Sequence, residues 1–234
     1  EVSYEGTVIT NTHKPETTKV EGTKDWDDMD DQDGKRPESI TINLLADGEV
    51  IKTVTVTEDD EWSWKFENLP KYRDQGTEIV YTITEDAVEN YSTEINGFNV
   101  KNSYTPGKVS VNGSKTWNDA NDQDGKRPES IEIQLLADGE VVQTKTVTAG
   151  TNNWSWSFTN LDEYKDGKKI VYTINEVVTE EMTKAGYTAT VDGFNVTNTY
   201  KPETLDIEGT KTWVDADDQD GFRPESITIN LLAD

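Results

Sequence analysis

One five-residue pattern is spelled three times along this chain. It reads Gly22-Thr23-Lys24-Asp25-Trp26, then Gly113-Ser114-Lys115-Thr116-Trp117, then Gly209-Thr210-Lys211-Thr212-Trp213. Each copy runs through an acidic stretch into Gln-Asp-Gly-x-Arg-Pro-Glu-Ser-Ile. Lys24 and Lys115 are 91 positions apart, and Lys115 and Lys211 are 96 apart. Between them the landmarks keep step: Leu44 to Glu49 recurs at Leu135 to Glu140, Trp62-Ser63-Trp64 at Trp154 to Trp156, and Gly97 to Val100 at Gly193 to Val196. Solenoid units are far shorter, so the period fits whole domains in tandem. The five extra positions of the second copy fall between Glu176 and Gly193, where a longer loop is expected.

The chain opens and closes inside a repeat. Residues 1–16 match the end of one, since Gly6 to Glu16 aligns with Gly193 to Glu203. Residues 17–105 and 106–202 are complete repeats, and 203–234 match only a beginning. Short proline-bearing junctions (Lys14-Pro15-Glu16, Thr105-Pro106-Gly107, Lys201-Pro202-Glu203) separate them, too short to act as free linkers.

Inside a repeat every signal is strand. Ile40, Ile42 and Leu44 alternate with polar residues, as do Trp62, Trp64 and Phe66, then Tyr81 and Ile83, then Phe98 and Val100. Asp47-Gly48 supplies a tight hairpin turn. No stretch shows a helical period. About seven short strands in a repeat of this length predict an all-β, immunoglobulin-like sandwich, repeated in tandem as a rod. Mean hydropathy is low at -0.80, but seven Trp and nine Tyr supply bulk for small cores. The net charge of -25 argues against nucleic acid and anionic membranes as partners. No apolar run reaches the length of a membrane span, no cysteine is present for disulfides, and no signal peptide is seen at Glu1.

Strand phase places three polar residues on apolar faces. Residues two apart on a strand share a face, so Lys115 points with Val109, Val111 and Trp117, and Lys24 with its counterparts. By the same rule Glu85 shares the face of Tyr81 and Ile83, and Glu176 that of Tyr172 and Ile174. Asn102 goes with Phe98 and Val100, and Asn198 with Phe194 and Val196. Asn99 and Asn195 fall on the opposite face. The lysine, glutamate and asparagine lie on the first, penultimate and last strands, and meet inside if those strands adjoin. Two readings stand on the residues alone. One is a buried ion pair with an amide filling a remaining hydrogen bond. The other is chemical: an apolar site lowers a lysine's pKa and raises a glutamate's. A neutral amine then faces a carboxamide, with an acid beside both to move protons, and the product is a Lys–Asn isopeptide bond with loss of ammonia.

Lysine before tryptophan on the first strand, glutamate after Tyr-x-Ile-x, and asparagine in Val-x-Asn-x on the last strand resemble the B-type repeat domains of Gram-positive collagen adhesins (Cna B-type), which also occur in pilins. The resemblance covers essentially the whole chain. It implies an inverse immunoglobulin-like sandwich with a self-made crosslink: Lys24 to Asn102 assisted by Glu85, and Lys115 to Asn198 assisted by Glu176. Asn11 matches the acceptor of a preceding repeat and Lys211 the nucleophile of a following one, and both are expected to be unlinked within this chain. The chemistry is single-turnover, so no enzyme is implied. The resemblance also implies an extracellular stalk, anchored to the cell wall through parts of the protein outside this chain. Its partners are neighbouring repeats and, through a distal domain, host extracellular matrix. Two alternatives are repeats that bind a matrix ligand themselves and a calcium-rigidified rod.

The calcium alternative rests on the acidic stretches. Oxygen-bearing residues before a glycine resemble a calcium loop, with Asp28, Asp30, Asp31 and Asp33 in one repeat and Asp119, Asn121, Asp122 and Asp124 in the next as candidate ligands. The register fails for an EF-hand, because Ala120 would take the first ligand place and Ile131 the twelfth. A solvated turn is the preferred reading, with no cofactor. Trp62, Trp64, Trp154 and Trp156 read as core by their period of two. His13, the one histidine, is expected at the surface near a junction.

Overall fold

A computed structural model describes residues 2–233. Alternation is written directly into the burial of the opening strand Thr17–Asp27. Val20, Gly22 and Lys24 face in, and Lys19, Glu21, Thr23 and Asp25 face out. The strand Ser39–Ala46 buries Ile40, Ile42 and Leu44 in the same way. It turns at Asp47-Gly48, both with positive φ, into Glu49–Thr57, as a two-residue hairpin twisted to match its strands requires.

Each complete repeat forms two facing sheets and a separate two-stranded hairpin. In the first repeat, four strands lie in the order Ser92–Asn96, Asn99–Ser103, Thr17–Asp27, Ser63–Pro70. Three more lie in the order Glu49–Thr57, Ser39–Ala46, Tyr81–Glu85. The closing strand Asn99–Ser103 pairs parallel with the opening strand, with Val100 opposite Lys24 and Asn102 opposite Trp26. The second repeat copies this arrangement. Ser155–Asp162, Lys108–Asn118, Asn195–Thr199 and Thr188–Asp192 form one sheet, and Glu140–Thr148, Ser130–Ala137 and Tyr172–Glu176 the other. Side chains of both sheets fill the space between. Val20, Ile42, Leu44, Phe66 and Val100 belong to the first core, and Val111, Ile133, Leu135, Phe158 and Val196 to a separate second one. These are the tandem immunoglobulin-like sandwiches that the strand count predicts.

Three details depart from the sequence reading. A further strand, Ser92–Asn96 or Thr188–Asp192, precedes the closing one, so the glutamate strand is third from the end. That glutamate strand belongs to the facing three-stranded sheet, so of the three strands only the first and last adjoin. The five extra positions of the second repeat hold a short helix, Glu180–Ala185. Thr179 caps its start, Gly186 ends it at φ 91, and Met182 is buried beneath it. One and a half turns are too few for a helical period to appear in sequence.

Residues 2–11 form an isolated hairpin, Val2–Glu5 with Val8–Asn11. Beyond the second repeat the chain carries no regular strand up to residue 233, although its acidic turn around Asp215–Gly221 is formed.

Candidate functional site

The parallel pairing of opening and closing strands puts lysine and asparagine on one inward face, diagonal neighbours across a single strand spacing. The glutamate reaches them across the core from the facing sheet. Ile42 opposite Glu85, and Ile133 opposite Glu176, fix its height. Both lysine side chains are fully shielded from solvent, as is that of Glu85, and Glu176 is 1% exposed. Asn102 and Asn198 are wholly buried.

In the second repeat the geometry is close. Lys115 Nζ donates to Glu176 Oε1 at 2.6 Å, and Asn198 Nδ2 donates to the same oxygen at 3.2 Å. One carboxylate oxygen thus touches both nitrogens. Burial lowers the Lys115 amine from its ordinary value, with Glu176 opposing. In the first repeat the cluster is looser. Lys24 Nζ stands 3.7 Å from Glu85 Oε1 and donates to the Asp25 carbonyl at 3.1 Å. Thr93 Oγ1 donates to Glu85 Oε2 at 2.9 Å, where the second repeat has Ala189. Burial pulls the Lys24 amine down to about 8, and the Glu85 carboxylate opposes that shift. Neither polar atom of Asn102 has a hydrogen-bond partner among the described residues, nor does Asn198 Oδ1.

An aromatic lid closes each site. Lys24 Nζ lies 3.8 Å from the centre of the Trp26 ring and Lys115 Nζ lies 4.6 Å from that of Trp117. Trp62 and Tyr91 pack edge-on against Trp26, and Trp154 and Tyr187 against Trp117. Trp64 and Trp156 are core residues, as their period implies, while Trp62 and Trp154 are half-buried in this lid. The lid residues carry no pattern that separates them from ordinary core. Asn99 and Asn195 do lie on the outer side, accepting from the backbone N–H of Thr23 and of Ser114.

The acidic loops are organised around an arginine. Arg36 donates twice to the buried Asp28, at 3.0 and 2.7 Å, and Tyr91 OH and the Asp31 N–H donate to the same carboxylate. Arg127 and Tyr187 do the same to Asp119, and Arg223 to Asp215. The Arg127 guanidinium holds the Asp119 carboxyl below its usual range, against the opposing effect of burial. Asp31 and Asp122 accept from the backbone N–H of Arg36 and Arg127. Asp33 and Asp124 turn the other way, to Tyr104 and Gly107 and to Tyr200 and Glu203. Asp30 and Asn121 are exposed. Among the described residues no three His, Cys, Asp or Glu side chains gather as a metal site. Asn11 and Lys211 are both exposed, and Lys211 Nζ donates to the Thr212 carbonyl. His13 is exposed as well.

Tandem two-sheet sandwiches, each burying a lysine of the opening strand, an asparagine of the closing strand and a glutamate of the facing sheet, define a class of repeat domain. The chain belongs to the Cna protein B-type domain family, which matches residues 20–103, 111–199 and 207–234. It is 49% identical over 236 aligned residues to a collagen adhesin of Staphylococcus aureus, covering 98% of this chain and 19% of that protein. It also resembles the crystal structure of two B repeat units of the Staphylococcus aureus collagen binding protein. That likeness has a TM-score of 0.69 and 38% identity, and spans 95% of this chain and 60% of the other. Among the described residues no helix is long and apolar enough to cross a membrane.

Proposed function

We propose that these repeats are a load-bearing stalk of a Gram-positive surface adhesin or fibre, each sandwich locked by an isopeptide bond that it makes itself. The observation that carries this reading is the pair of nitrogens on one oxygen: Lys115 Nζ and Asn198 Nδ2 both reach Glu176 Oε1. The same carboxylate oxygen can take a proton from the attacking amine and return it to the departing one, which is the task of a shuttle. Lys115 Nζ bonds to the Asn198 carboxamide carbon as Glu176 removes a proton from the amine. The carbon–Nδ2 bond then breaks, Nδ2 leaves with the returned proton as ammonia, and the carboxylate is regenerated. Lys24, Asn102 and Glu85 repeat the sequence in the first sandwich.

An ion pair alone leaves Asn102 unexplained. A buried polar group without a partner costs about 1–3 kcal/mol, and both ends of this amide lack one. Joining it to the lysine replaces an amine and a primary amide by one secondary amide, with fewer polar hydrogens to satisfy.

The crosslink ties the first strand to the last, so tension along the array passes through a covalent bond rather than through the strand ladder. The role extends to the whole protein by similarity: repeats in series hold a distal adhesive domain away from the wall, outside the cell. Intact mass tests the bond. Wild-type chain should be lighter than its sequence by two molecules of ammonia, and Lys24→Ala and Lys115→Ala should each restore one.

A further inference from the structure

The two buried trios have the same side chains but hold them differently. Lys115 and Asn198 both reach Oε1 of Glu176, and Oε2 of that carboxyl has no hydrogen-bond partner among the described residues. In the first repeat the pattern is inverted. Glu85 Oε2 accepts from Thr93 Oγ1 at 2.9 Å, and Oε1, 3.7 Å from Lys24 Nζ, is the oxygen without a hydrogen-bond partner among the described residues. Lys24 Nζ turns instead to the Asp25 carbonyl and the Trp26 ring.

The extra hydroxyl comes from the edge of the sheet. Thr93 stands on the edge strand Ser92–Asn96, opposite Asn102 in the antiparallel ladder, and Ala189 stands opposite Asn198. Cross-strand partners share a face, so both positions look toward the glutamate that crosses from the facing sheet. Threonine there reaches one of its oxygens. Alanine has nothing to donate.

The other surroundings do not account for the difference. Trp26, Trp62 and Tyr91 recur as Trp117, Trp154 and Tyr187 with the same edge-on packing. The helix Glu180–Ala185 belongs to the second repeat, but Tyr187 beyond it makes the same hydrogen bond to Asp119 that Tyr91 makes to Asp28. The two glutamates also sit at the same height, opposite Ile42 and Ile133.

We propose that Thr93 is a positioning residue that holds Glu85 away from the two nitrogens, so that the second sandwich closes its crosslink before the first. The inference rests on the proposed crosslink. A carboxylate that accepts from a hydroxyl must give up or bend that bond before its other oxygen can serve both the attacking amine and the departing Nδ2. Glu176 has no such bond to lose. Hydrogen bonds to charged groups are the stronger ones, and giving one up slows closure of the first sandwich about tenfold. The first repeat therefore stays longer as an unlinked domain, able to unfold, after its neighbour has locked.

Cell-free synthesis of the whole chain, stopped in acid at intervals, gives both rates. Intact mass counts the ammonia lost, and digestion locates each bond as a Lys24–Asn102 or a Lys115–Asn198 peptide pair. The second pair should appear about ten times faster than the first. Thr93→Val keeps the shape but removes the hydroxyl, and should bring the first pair up to the rate of the second. Thr93→Ser keeps the hydroxyl and should stay slow, while Ala189→Thr should slow the second pair by the same factor. Thr93 is exposed on its edge strand, so these changes spare the core, and tryptophan fluorescence separates folding from closure. Two pairs appearing at equal rates in the parent would overturn the proposal and leave the crosslink standing. So would a first pair that Thr93→Val does not accelerate, or that Thr93→Ser accelerates as much. A chain that never loses ammonia would overturn the crosslink, and this inference with it.

Discussion

Glu176 holds its site by one oxygen, and replacing that oxygen is the sharpest test of its role. Glu176→Gln keeps the shape but cannot shuttle a proton, so the second repeat should keep its ammonia while the first still loses one. Mass spectrometry of the intact chain reads this; crosslinking at the parental level would remove the glutamate from the chemistry. The depressed Lys24 pKa gives a second test, in a chain that cannot crosslink. In Asn102→Ala, Lys24 is protonated below about 8 when folded but below 10.5 when unfolded. The unfolded chain binds the extra proton between those values, so stability should rise with pH across that window. Asn102→Ala/Lys24→Met should lose the slope, and denaturant melts at several pH values measure both. The polar trio was legible in sequence because strand alternation is a rule of geometry, and a lysine in phase with Val20 or Val111 breaks the usual polarity. The arginine of each acidic loop was not legible. Asp28 and Arg36 are eight positions apart with no periodic relation, and a run of aspartates reads as a solvated turn although Asp28 and Asp119 are buried.

At the scale of elements, the opening strand must come close to the turn before the closing one. A Cβ on Gly22 would lie 1.7 Å from the Phe98 carbonyl oxygen, and one on Gly113 would lie 1.8 Å from that of Phe194. Both obstacles are backbone, so Gly113→Ala must push the two strands apart close to Lys115 and Asn198. It should cost about 3 kcal/mol in a denaturant melt and slow ammonia loss in the second repeat. A neutral result would mean that the strands separate freely there. Strand identity was readable from alternation, but sheet membership was not. Pairing partners are set by long-range topology, and the same Tyr-x-Ile-x-Glu pattern serves equally beside the closing strand or across the core from it. The helix Glu180–Ala185 escaped because its capping residues, Thr179 and Gly186, bracket too few positions to show a period.

For the whole molecule the proposed crosslink would close a span of 78 positions between Lys24 and Asn102. By analogy with a disulfide of similar span this contributes about 4–5 kcal/mol per repeat. Lys24→Ala/Lys115→Ala should therefore melt about 20 °C below the parent, to which leaving Glu85 and Glu176 buried without their lysine partners adds its own cost. Chelation of divalent cations should leave the parent melt unmoved, because Arg36 and Arg127 already pair with the buried carboxylates of their loops, Asp28 and Asp119; a lower transition with chelator would show that a cation helps hold the loops. The tandem arrangement was visible in the sequence through its long period, whereas the contact of Gln32 with Asp162 across the junction carries no signal in the sequence. The central claim is that each complete sandwich has joined its first strand to its last. Intact mass of the freshly purified wild-type chain measures this most directly: a deficit of two ammonia molecules is the expected result, and the full mass of the unmodified sequence would contradict it.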